Sequence, residues 1–150
     1  MRIVIEMSVA QSADRVWSLL SDDNLRPLWM PEHVATTYPE GRPSGDPVGT
    51  RFRETLADGP SIRTFEGEIR AYVEGRLLAV ALEDAMVAIE ASYRLGRAPG
   101  GTLVRYAGDY HLKGIVGGGL LMTAGRPMIE ARVRRDLERL KRAAEGLRVG

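Results

Sequence analysis

Glu54 is the position where this sequence most invites chemistry. It stands between Phe52 and Leu56 in an alternating run, so in a strand its carboxylate shares a face with two apolar side chains. Such an acid either lines an enclosed space, where it can anchor a ligand or exchange a proton, or sits at an open rim or a twist of the strand. Tyr93, Tyr106 and Tyr110 are the matching hydrogen-bonding groups, each on the apolar parity of its own run. Each either offers its hydroxyl to a ligand or packs as a core ring whose tip finds water or backbone.

Other chemistries find little support. The chain has no Cys, which excludes thiolate nucleophiles, thiolate metal sites and disulfides together. His33 and His111 lie far apart, neither has a second His or a carboxylate at ligand spacing, and both read as surface residues. No G-x-S-x-G motif suggests a serine nucleophile. Gly114, Gly117, Gly118 and Gly119 are not followed by Gly-Lys-Ser/Thr, so they form no phosphate loop. Before Leu120, Leu121 and Met122 these glycines weaken a helix, and the segment reads as a gate, a close approach between helix and sheet, or an irregular connection.

Positioning Glu54 and the tyrosines requires strands, and the pattern supplies them. Ile3 to Val9 alternates as a strand and passes at Ser12 into a helix with Val16, Leu19 and Leu20 on one face. Ser21-Asp22-Asp23 offers a second cap, so two short helices precede Pro31, followed by a loop rich in Pro and Gly from Pro39 to Val48. From Gly49 to Lys113 the period is two. Inward faces read Phe52/Glu54/Leu56, Phe65/Gly67/Ile69/Ala71/Val73, Val87/Ile89/Ala91/Tyr93/Leu95 and Val104/Tyr106/Gly108/Tyr110/Leu112, with Leu77 to Leu82 a further strand apolar on both faces. Pro127 to Leu147 is the long helix, with Ile129, Val133, Leu137, Leu140 and Ala144 as its apolar stripe and Asp136 among the charged residues assigned to the opposite face.

The expected fold is α+β: a curved antiparallel sheet of about seven strands around one long C-terminal helix, with two short helices after the first strand. Because one helix cannot cover a curved sheet, a pocket is expected where large inward aromatics alternate with Gly67, Ala71, Ala91 and Gly108. Mid-strand Gly108 signals either ligand room or a bend.

At 150 residues the chain reads as a single domain, residues 1–150. Its net charge of +1 gives no field for nucleic acid. The eight basic and four acidic residues from Arg126 to Arg148 read as a solvated face. The N-terminus lacks a signal-peptide pattern, and the uncharged stretch Gly114–Gly125 is too short for a membrane span, so a cytoplasmic protein without stable membrane insertion is expected.

Ser12-Ala13-Asp14-Arg15-Val16-Trp17, Leu25-Arg26-Pro27-Leu28-Trp29, Gly49-Thr50-Arg51-Phe52 and Leu137-Glu138-Arg139-Leu140-Lys141 occur in that order. In this the chain, over residues 2 to 147, resembles the START-like or polyketide cyclase (SRPBCC) superfamily, whose fold is the helix grip. The resemblance implies a cavity for a lipid, polyketide or other hydrophobic small molecule and puts Trp29 near its mouth, the alternative being a core contact. The expected ligand-binding set is Trp29, Phe52, Glu54, Phe65, Tyr93, Tyr106, Gly108, Tyr110, Leu121 and Met122. No metal, no cofactor and no assigned catalytic residue are expected, and the chain is expected as a monomer or homodimer. Two further readings stay open: a cyclase or aromatase using Glu54 with a cavity Tyr for proton transfer, and a protein-interaction module.

Overall fold

The computed structural model describes residues 1–114 and 118–146. Gly117, Leu147 and Arg148, named above, lie outside that set. Strand β1 (Arg2–Val9) leads to α1 (Ala13–Ser21), where the Ser12 hydroxyl accepts a hydrogen bond from the Arg15 N–H. Its amphipathic face buries Val16, Trp17, Leu19 and Leu20. The Asp22 carboxylate then accepts from the Asn24 N–H and starts a 3-10 helix, Asp23–Leu28.

Six more strands follow: β2 (His33–Thr37), β3 (Arg51–Asp58), β4 (Ser61–Val73), β5 (Leu77–Glu83), β6 (Val87–Ala98) and β7 (Gly101–Leu112). With β1 they make one seven-stranded antiparallel sheet in the order β1-β7-β6-β5-β4-β3-β2. The consecutive hairpins β3 to β7 follow from their short turns, with Gly59, Gly75 and Gly100 at positive φ where the chain reverses. After β7, α2 (Gly118–Ala124) and α3 (Arg126–Glu145) complete the fold, an α+β helix grip. Gly118 and Gly119 therefore open a short helix despite their weak propensity for one.

Two registers differ from simple alternation. A bulge between Ile69 and Ala71 shifts β4, so Phe65, Gly67 and Ile69 face inward but Ala71 and Val73 do not continue that face. Tyr72 turns inward instead, its ring 5.3 Å from that of Trp17, and Val73 is exposed. In β5, Leu78, Val80 and Leu82 take the inner side, as the buried Leu78 shows. His33 is half-buried, its ring bonded to the Thr36 hydroxyl at 2.7 Å, and burial pushes its pKa down; His111 is exposed.

Helix α3 is gripped along only half its length. Leu137, Leu140 and Ala144 are buried in the main core with Ile3, Ile5, Val9, Val16 and Leu20, whereas Ile129 and Val133 are only partly buried. The Arg15 guanidinium donates to the Ala144 carbonyl at 2.5 Å and the Ala143 carbonyl at 3.2 Å, satisfying the helix's last carbonyls and opposing their partial negative charge. Gly146, at φ 72°, ends it. Leu137→Ala should therefore cost about 2–5 kcal/mol in denaturant melts, and a loss below about 1 kcal/mol would mean that the gripped half is not docked.

A cavity between the free half of the helix and the sheet

Where α3 lifts away from tight packing, a cavity of about 420 Å³ separates it from the sheet. Its walls are apolar: Leu56 of β3, Phe65 of β4, Val80 and Leu82 of β5, Val87, Ile89 and Ala91 of β6, Leu112 of β7, Met122 of α2, and Ile129 and Val133 of α3. Exposed Asp58 and Met86 lie at its rim.

The polar groups gather along one side. Tyr93 and Tyr106 lean edge to face at 5.3 Å between ring centroids, and the Tyr106 and Tyr110 hydroxyls are hydrogen-bonded to each other. Burial pushes the pKa of all three phenols up, so each remains an O–H donor at neutral pH. Gly108 explains this arrangement. A Cβ there would collide with the Tyr106 hydroxyl and the Tyr110 ring, so the glycine leaves room for the tyrosines and does not itself line the cavity. Gly67 does the same for the Phe52 ring, which lies over it from the neighbouring strand.

Glu54 faces inward and is only 5% exposed. Arg26 of the 3-10 helix donates through Nη1 to its Oε1 at 3.0 Å and through Nη2 to the Leu20 carbonyl at 3.3 Å. The guanidinium also lies 5.4 Å from the centre of the Trp29 ring. Trp29 itself is buried, donating through Nε1 to the Leu19 carbonyl at 2.8 Å. Arg26, Glu54, Val80 and Tyr93 border both the main cavity and a second hollow of about 60 Å³, on which Trp29, Phe52, Tyr38 and Tyr72 open.

The structure thus brings Glu54, Phe65, Tyr93, Tyr106, Tyr110 and Met122 together around the main cavity. Trp29 and Phe52 border the small hollow, with Tyr93 standing edge-on to Trp29 at 5.9 Å. Leu121 lies on the outer side of α2, 57% exposed, because consecutive residues of one turn cannot both face inward and Met122 takes that direction.

Asp136 was not foreseen as a site residue. Its side chain is 13% exposed and lines the cavity, facing the three tyrosines. Burial pushes its pKa up to about 6, with Glu32 adding to the rise and Arg132, Arg135 and Arg139 opposing it. The signal was present in the spacing, because Ile129, Val133, Asp136 and Leu140 step by four, three and four along one face. Among the described residues no cluster of three or more His, Asp or Glu is placed to hold a metal ion, and no helix is long and apolar enough to cross a membrane.

Asp136 carries a measurable stability signature. Its pKa rises from 3.8 towards about 6 on folding, so the folded state favours the protonated acid, and native stability falls as pH rises through that window. At about 1.4 kcal/mol per unit, the penalty reaches at most about 3 kcal/mol above the window. Asp136→Asn is expected to raise unfolding free energy by about 1–3 kcal/mol near pH 8 and to change it little below about pH 4. Urea midpoints for both proteins across this range check it; a difference independent of pH would show that Asp136 is not desolvated.

Comparison with curated protein sequences finds no match. Among solved structures, the chain is similar to MLL2253 from Mesorhizobium loti, with TM-score 0.73 at 15% identity over 99% of this chain and 100% of that one. It is similar to Ara h 8.0201, with TM-score 0.74 at 15% identity over 96% and 97%. It also matches the di-domain ARO/CYC StfQ from the steffimycin biosynthetic pathway, with TM-score 0.68 at 17% identity over 95% of this chain and 44% of that one. These likenesses establish the fold. The family model described as polyketide cyclase / dehydrase and lipid transport matches residues 2–145. With that match spanning nearly its whole length, the chain belongs to the polyketide cyclase / dehydrase and lipid transport family.

Proposed function

We propose that the protein binds a hydrophobic small molecule in the cavity under α3, with residues 1–150 acting as one binding domain. The observation that carries this reading is the apolar, solvent-open cavity of about 420 Å³. Protein interiors ordinarily close-pack, and ligand pockets of roughly 300–1,000 Å³ combine apolar walls with a few convergent polar groups. Here Phe65, Leu82, Ile89 and Met122 supply the apolar surface, and Glu54, Tyr93, Tyr106, Tyr110 and Asp136 supply the polar groups. The volume suits a compact molecule of two or three fused rings or a medium-length chain. Family membership, spanning cyclases and lipid carriers, agrees with this class of ligand.

A catalytic reading of the cyclase kind draws on a different residue from the one expected. Glu54 is tied to Arg26, whereas Asp136, poised near neutrality beside three phenols, has the properties of a general acid or base.

Native mass spectrometry of freshly purified protein is expected to reveal a co-purified apolar molecule, and the uncharged fluorophore N-phenylnaphthylamine is expected to bind with enhanced emission. Ile89→Trp fills the cavity from β6 and should weaken that probe about tenfold or more, a change worth about 1.4 kcal/mol, while circular dichroism shows a folded sheet. Absence of any probe binding to the wild-type protein would remove the reading.

A further inference from the structure

The polar groups of the cavity are unequally satisfied, and the imbalance describes the ligand's head. Tyr106 and Tyr110 bond to each other, and Glu54 Oε1 accepts from Arg26. Asp136 has no comparable partner. Its Oδ1 is buried against Arg139 Nη1 at 3.7 Å, too far for a hydrogen bond, and neither atom has a hydrogen-bond partner among the described residues. That same Arg139 nitrogen lies 3.5 Å from Glu32 Oε1, which also takes Arg135 at 3.3 Å, so the cations around Asp136 are shared with a second acid. The part of the carboxyl that remains exposed, in a wall otherwise built of Ile129, Val133, Leu137 and aromatic rings, has no hydrogen-bond donor among the described residues.

Resting on the binding function proposed above, we propose that the ligand presents a hydroxyl or a protonated amine to Asp136 and that the cavity discriminates against carboxylates. A hydroxyl or ammonium group supplies the missing hydrogen bond, and the ammonium adds charge attraction that little water screens. A ligand carboxylate in the same place would set two like charges side by side in a desolvated pocket, with Glu54 a third acid on the wall. Opposing this are Arg26, committed to Glu54 and the Leu20 carbonyl, and Arg132 at the helix end of the cavity. The remaining titratable neighbours, Tyr93, Tyr106 and Tyr110, stay neutral at physiological pH. Since burial holds Asp136 partly protonated up to about pH 6, discrimination by charge should strengthen as pH rises through that value.

The experiment uses three probes with one ring body: naphthol, naphthylmethylamine and naphthoate, each displacing N-phenylnaphthylamine from the full chain. Near pH 8 naphthol and naphthylmethylamine are expected to bind about tenfold or more tighter than naphthoate, a gap corresponding to one decade in Kd. Asp136→Asn should narrow the gap between amine and carboxylate at least about fivefold, by weakening the amine and strengthening naphthoate, with circular dichroism confirming the fold. In the wild-type protein the same gap should shrink near pH 5. Equal affinities, a preference for naphthoate through Arg132, or an unchanged gap in the variant would overturn the proposal while leaving hydrophobic binding intact. If N-phenylnaphthylamine does not bind wild-type protein at all, the binding function falls and this proposal with it.

Discussion

The ion pair between Arg26 and Glu54 is the joint on which the interior depends. It links the 3-10 helix after α1 to the inner face of β3, and both side chains are largely removed from water. Desolvating two charges is costly, and the pair is retained only where geometry and extra hydrogen bonds compensate. Arg26 meets that condition through the Leu20 carbonyl and the Trp29 face, so one guanidinium fixes the end of α1, the course of the 3-10 helix and the place of the indole. Removing either partner would leave the other charged, buried and unpaired, a loss of about 3–5 kcal/mol in comparable cases. Glu54 is thus an architectural acid first, and its meaning changes from reactive group to wall.

A second constraint is the division of labour along α3. Its C-terminal half closes the core with Leu137, Leu140 and Ala144, while its N-terminal half stands over open space with Ile129, Val133 and Asp136. Stability and cavity are thereby separated on one rigid element, and the helix can hold an uncomfortable carboxyl because the turns beyond it are firmly docked. The tyrosines on β6 and β7 face this same stretch, so the polar side of the cavity is carried entirely by regular structure and not by loops.

Much of this was legible in the chain. Alternation placed Glu54, Phe65, Tyr93, Tyr106 and Tyr110 on inward faces, because a period of two survives wherever a strand is regular. It failed after Ile69, where a bulge inserted one residue and exchanged Ala71 and Val73 for Tyr72; nothing in residue type marks such an insertion. It was silent on Asp136 for a different reason. Sorting helix residues by polarity sends every carboxylate to the solvent side, whereas sorting by angle alone places this one with Ile129 and Val133. Gly108 was correctly seen as a strand glycine with a purpose, but the room it leaves is taken by a phenol of its own strand. Such close fits depend on ring rotamers, which composition does not encode.

The wall shared by the two hollows has one more consequence. Arg26, Glu54, Val80 and Tyr93 stand between the large cavity and the small hollow, whose lining Tyr72 meets Trp17 edge to face. While the ion pair holds, the two hollows stay separate, and the large cavity meets solvent only where its exposed lining residues lie, among them Asp58, Met86 and Arg132. A change confined to that rim alters how fast a molecule enters and leaves, while the equilibrium between the two is set by the walls.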